Sequence, residues 1–249
     1  YWITTLSERT TLADNATLID WQIQKMAYAL ITTPTNSWHI LSSHYTQDIT
    51  PYLKNENILE FGGQLESEFN KNYLEKFGVP CEQIFKNEAQ KLNVSEQSCN
   101  PITKGMDADY LLIYLAGERF YSDDPNLPFY TLEGGGDESK KSWYTAISNH
   151  NVATMIQNDN ITPTSFYMKN TTLGMLTPFS IFKYVEPNTG RTFDNYQNGL
   201  IPVYVPNLKF KDPENDPFYL VYASPSFYSK NSGPMSAVLI YKINHDFNY

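Results

Sequence analysis

Cysteine and histidine are scarce in this chain: two cysteines, Cys81 and Cys99, and four histidines, His39, His44, His150 and His245, among 249 residues. A structural zinc site takes about four ligands of these kinds. No histidine lies near either cysteine, so neither a metal centre nor any other cofactor is expected. The lone cysteine pair, set in an Asn/Gln/Glu-rich stretch, suits one disulfide in an oxidising compartment. Closing that loop would contribute roughly 3 kcal/mol. Clustered positive charge is also missing. No basic run exceeds Lys140-Lys141 and the net charge is -9, which excludes a general phosphate-binding surface, because such surfaces work by neutralising phosphates with Lys and Arg. Long apolar runs are missing too: none approaches the roughly 20 residues that cross a bilayer. Gly134-Gly135-Gly136 lacks the Lys-Ser/Thr and helix of a phosphate loop. There is no Gly-x-Ser-x-Gly elbow and no His-Glu-x-x-His helix. Asp123-Asp124 sits in a Pro/Asn loop, where carboxylates cap turns. No catalytic residue is therefore assigned, and the chain is not expected to be an enzyme.

What the chain does have is core material. Hydrophobic residues make up 41% and aromatic residues 15%, with 19 tyrosines, enough for a folded globule of mixed α+β class. Leu12, Ala16, Ile19, Ile23, Met26 and Leu30 recur at spacings of three and four, a helical stripe with a coiled-coil-like period. This predicts one long helix over about 3–32, ended by Pro34. It is either an ordinary core helix or a stalk and dimerisation helix. The chain begins Tyr1-Trp2-Ile3 without methionine, which reads as a fragment or processed chain whose aromatic start suits the interfacial end of a preceding membrane helix. A second helix is expected around Trp38, Ile40, Leu41 and Tyr45, broken at Asp48-Ile49-Thr50-Pro51. Amphipathic spacing predicts a helix over 58–77 and a short one over 84–92, followed by a polar loop to Asp107.

From Ala108 the texture turns to strands. Residues 109–115 read as a strand, Ala116-Gly117-Glu118 as a tight turn, and Arg119-Phe120-Tyr121 as its partner. Lys141 to Ile147 reads as a short helix. Further strands are expected at 165–168, 179–184 and 201–205. The closing hairpin runs from Phe218 through a Ser229–Pro234 turn to Phe247. In the last strand Val238, Ile240 and Lys242 face one way, and Leu239, Tyr241 and Ile243 the other. Apolar residues on both sides imply a strand covered on both faces. Lys242 then either lies at the sheet edge with its ammonium in water or faces a pocket and meets an anion. Aromatics and cations accumulate in this half: Tyr114, Tyr121, Lys141, Trp143, Tyr144, Tyr167, Tyr222 and Lys242. They form either a small-molecule pocket or a tyrosine-rich core with its hydroxyls satisfied.

The order of these elements carries a family resemblance. A long N-terminal helix leads to a strand ending in Ser122-Asp123-Asp124-Pro125-Asn126. Then come Lys141-Ser142-Trp143-Tyr144-Thr145-Ala146, an aromatic segment with Phe166-Tyr167, and a hairpin with Ser224-Pro225-Ser226-Phe227-Tyr228-Ser229-Lys230-Asn231-Ser232-Gly233. This resembles the extracytoplasmic Cache (PAS-like) sensor domain of bacterial transmembrane receptors over residues 108–247 and, more loosely, 1–48. The resemblance implies an antiparallel sheet with a ligand held between sheet and loops. It divides the chain into a stalk and following helix (1–48), a helical insertion or cap (49–107) and a sensor module (108–249). Lys141 stands where the family often has Arg, Trp143 and Tyr144 match its aromatic pair, and Tyr167 its wall residue. Tyr121 and Tyr222, from the aromatic cluster rather than from the resemblance, complete the expected ligand-binding set. Lys242 departs from the pattern, since amino-acid-binding members keep an Asp there for the ligand amine. A lysine repels an ammonium at close range, so an anionic ligand is expected, or a periplasmic protein in place of a small molecule. The implied parent is an inner-membrane receptor, foremost a two-component histidine kinase, dimeric through the N-terminal helix. The competing expectation is a secreted carbohydrate- or protein-binding module.

Overall fold

The computed structural model describes residues 25–26, 29–53, 104–121, 128–132 and 165–248, with side chains left out at 50, 53 and 165–167. Its centre is a seven-stranded, wholly antiparallel sheet. The strands are β1 (Tyr110–Phe120), β2 (Phe129–Leu132), β3 (Phe179–Val185), β4 (Thr192–Phe193), β5 (Ile201–Pro206), β6 (Phe218–Ala223) and β7 (Gly233–Ile243). Their order across the sheet is β4-β3-β5-β2-β1-β7-β6. Around it lie α1 (Pro34–Ser42), α2 (Thr50–Leu53), α3 (Ser165–Asn170), α4 (Thr172–Leu176) and α5 (Pro225–Tyr228). The class is mixed α+β.

One face of the sheet is the core. Leu111, Ile113 and Leu115 of β1 alternate inward and meet Leu239, Tyr241 and Ile243 of β7. Ile40 and Leu41 of α1 and Leu173 and Leu176 of α4 join the same cluster. Polar bonds fix the layers. The Tyr241 hydroxyl donates to the Leu176 carbonyl at 2.5 Å, and the Trp38 indole N–H donates to the Asn244 carbonyl at 2.7 Å. Tyr241, buried there, is pushed above the ordinary tyrosine pKa by desolvation. The segment before β1 crosses the end of α1: Met106 N–H donates to Ile40 O at 2.9 Å and Ala108 N–H to Leu41 O at 2.8 Å. These bonds satisfy carbonyls that a helix end leaves open.

Several expectations change. The long N-terminal helix falls almost wholly outside the described residues. Within them only 25–26 and 29–31 are helical, too little to support it. Pro34 does more than stop a helix: Thr33 caps α1 and Pro34 occupies its first turn, where proline's missing N–H costs nothing. The break read at Asp48-Ile49-Thr50-Pro51 runs into the short α2, Thr50–Leu53. The stretches 58–77 and 84–92, with Cys81 and Cys99, lie outside the described residues.

Ala116-Gly117-Glu118 is not a turn. β1 runs unbroken through it to Phe120. Gly117 is there because β2 passes close by: a Cβ on it would sit 2.0 Å from the Thr131 carbonyl oxygen. Residues 165–168 form helix α3, not a strand. Met168 is buried in the core beneath β3, and a one-residue break leads to α4, capped by the Thr171 hydroxyl accepting from Gly174 N–H at 3.1 Å. β7 is not buried equally on its two faces: Leu239, Tyr241 and Ile243 are buried, whereas Val238, Ile240 and Lys242 are half-buried. The hairpin connection also contains α5 rather than a simple turn.

Candidate functional site

Among the described residues, the second face of the sheet carries no helix. Tyr110, Leu112, Tyr114 and Phe120 of β1 alternate outward and are exposed, Tyr110 by 51% and Leu112 by 44%. Cross-strand register extends the row: Tyr110 pairs with Lys242, Leu112 with Ile240 and Tyr114 with Val238. Across β7, Lys242 pairs with Tyr219 and Ile240 with Tyr222 of β6. The other half of the sheet continues the face with Phe129, Phe182 and Ile201, the rings of Phe129 and Phe182 lying 5.5 Å apart. A large contiguous apolar surface of this kind marks an interaction site.

A β-bulge between Leu220 and Tyr222 decides what this face presents. Counting by twos from Tyr219 would set Val221 opposite Ile240. The extra residue puts Tyr222 there instead, which is how a bulge re-aims a side chain. A hydroxyl-bearing ring thereby joins the row that Lys242 and Tyr219 begin.

Lys242 lies on this open face rather than at a sheet edge, since β6 flanks β7 on its outer side. Its ammonium is held above the ordinary lysine pKa, first by a hydrogen bond with the Tyr219 hydroxyl, with a smaller contribution from the Asp109 carboxylate. It is a fully charged cation at neutral pH. His245 Nε2 stands 3.7 Å from an Asp109 carboxylate oxygen beyond the end of β7. The arrangement presents one cation among phenol hydroxyls on an apolar floor, which suits an acid group attached to an apolar body. Among the described residues no metal-binding group of three or more His, Cys, Asp or Glu occurs.

Of the residues anticipated for the site, Tyr222 and Lys242 share the open face, and Tyr114 lies on it two rows away. Tyr121 sits just past the end of β1, half-buried. The Tyr167 backbone lies in α3, while its side chain, like Lys141, Trp143 and Tyr144, lies outside what the structure describes. Tyr110 and Tyr219 escaped notice, although the period-two pattern of 110–115 places Tyr110 on the outward row. Arg119 was also missed. It is 2% exposed, on the core face beside the Tyr130 ring at 5.3 Å. Its guanidinium donates to the carbonyls of Ser229, Ser226 and Phe227, the last two at 3.1 and 3.0 Å. It secures the connection between β6 and β7 and is not exposed to a ligand. No family model matches the chain, and neither a curated protein nor a solved structure is significantly similar to it.

Proposed function

We propose that this chain is a non-catalytic, ligand-sensing domain of the Cache/PAS-like kind. It would lie outside the cytoplasm as part of a bacterial membrane receptor, a two-component histidine kinase in the first instance. The observation that carries the reading is the open aromatic face of an antiparallel sheet with the charged Lys242 set between Tyr110 and Tyr219. A surface of this composition holds a small acid by charge and hydrogen bonds at one end and by ring contact along the rest. The resemblance in 108–247 supplies the receptor context. Dimerisation through the Leu12/Ile19/Met26 stripe belongs to the same reading and concerns residues outside the described set, apart from Met26. Signalling would follow from the ligand favouring one of two states of the domain.

Thermal-shift screening against carboxylates, amino acids, amines and sugars tests this. A ligand at 100 times its Kd stabilises by roughly 2.7 kcal/mol, well within detection. The expected result is a rise in Tm with a carboxylate and none with amines, lost in Lys242→Ala. A shift with sugars alone, indifferent to Lys242, would favour the secreted carbohydrate-binding alternative, for which the exposed tyrosine row is also suited. Silence from every class would sink the small-molecule reading.

A further inference from the structure

The open face carries its own answer to what else covers it. Along β1 and β7 its outward positions hold only two charges, Lys242 at one end and Glu118 at the other. Glu118 is half-buried, pairs with Pro234 and has no ion-pair partner among the described residues. Lys242 pairs with Tyr110, eight residues further along each strand. At about 3.4 Å per residue the two charges lie roughly 27 Å apart, too far to meet within one chain. Between them lie Leu112, Tyr114, Ala116, Ser236, Val238 and Ile240, and the Tyr114–Val238 pair is the midpoint.

A strip with opposite charges at equal distances from its centre is complementary to itself after a half-turn. We propose that a second copy of this chain packs on the open face, related by a two-fold axis along the Tyr114–Val238 row, with Lys242 of each copy against Glu118 of the other. Such an interface is isologous, so each contact occurs twice. Stacked sheets lie about 10 Å apart, a gap that a lysine and a glutamate side chain span together. The size suits a weak, reversible dimer. Ten paired rows on β1 and β7, with β6 beside them at one end and β2 at the other, give a footprint of roughly 30 by 14 Å from strand spacing and rise. Two such footprints bury about 800 Å², the range of weak, transient contacts. Charge selects this face as well. Two chains of net charge -9 repel over most of their surfaces, whereas this strip is locally neutral.

The proposal does not depend on the ligand reading, and its test uses no ligand. Sedimentation of the whole chain should show a dimer. Lys242→Glu and Glu118→Lys should each raise its Kd by at least tenfold, because like charges then meet at both ends. An equimolar mixture of the two variants should recover a heterodimer, because each then supplies the charge the other lacks. Circular dichroism of the variants guards against unfolding. Zero-length carbodiimide crosslinking of mixed light and heavy-isotope protein should give a Lys242–Glu118 amide only between copies. A monomeric wild type would overturn the proposal, as would a dimer indifferent to both reversals. So would a monomer whose Tm falls with Ile240→Asp, which would mean that another part of the same chain covers the face.

Discussion

Two buried cations show how differently a charge can be accommodated. Arg119 has no carboxylate partner among the described residues, and its Nε–H is unsatisfied. Three backbone carbonyls of the β6–β7 connection share its charge instead. Removing it takes a donor from each of those carbonyls, of which Ser226 O also accepts from the Ser229 N–H, at about 1–3 kcal/mol for each one left unsatisfied. Arg119→Met should therefore lower the unfolding free energy by roughly 2–4 kcal/mol in urea. Arg119→Lys should recover little, since a point donor cannot replace a planar fork. Lys25 takes the other course. Its ammonium donates to the Lys104 and Gly105 carbonyls, and burial pulls its pKa from 10.5 down to about 7. The folded-state value is below the unfolded one, so between about 7 and 10.5 the unfolded chain binds more protons. Stability should rise with pH across that window and level off on either side. Urea unfolding at pH 6.5 and 9.5 should show the rise, and Lys25→Met should remove most of it. An unchanged slope in that variant would assign the pH dependence to other groups.

At the scale of elements, the sheet is two unequal parts joined by a short strand. β1, β7 and β6 form a long-paired block, while β2 meets β5 through the single register pair Tyr130–Tyr204. Gly117 lets β2 lie close to β1. Gly117→Ala should cost about 2–4 kcal/mol and speed amide exchange in β2 and β5 more than in β7. Uniform acceleration across the sheet would show that the join is not its weak point. The same glycine explains a misreading. Ala-Gly-Glu after a strand has turn composition, and nothing local distinguishes a turn from a strand that needs room for a neighbour. Strands β3, β5, β6 and β7 were legible because each is a short β-branched or aromatic run between Pro, Gly or Asn punctuation. Ser165–Met168 has the same texture yet is helical, because tertiary packing beneath β3 outweighs a weak local preference. The site was half legible. Lys242 and Tyr222 stood out as polar groups in apolar strands. Tyr222's position opposite Ile240 depends on a bulge that has no signature in sequence, and Tyr219's partnership with Lys242 depends on register.

Over the whole molecule, the first and last strands of the described sheet, β1 and β7, lie side by side as its fifth and sixth strands, one in from the β6 edge. Among the described residues helices cover one face, and the ligand and the second copy are both proposed for the other. The last two readings make opposing demands on Lys242. An acid bound there occupies the cation that Glu118 of the neighbouring copy would need, so a carboxylate that binds the chain should also loosen the wild-type dimer. Mass action tests association apart from any ligand. When folding is coupled to dimerisation, Tm rises with protein concentration, by roughly 2 °C per tenfold for a chain of this size. Leu112 pairs with Ile240 on the strip and is exposed in the single copy. Leu112→Glu therefore removes no core contact but buries a carboxylate wherever a second copy docks. Scans at 2 and 200 μM should separate by about 4 °C in the wild type and coincide in Leu112→Glu. If both proteins show the same separation, association runs through another surface, and the open face is left to the ligand alone.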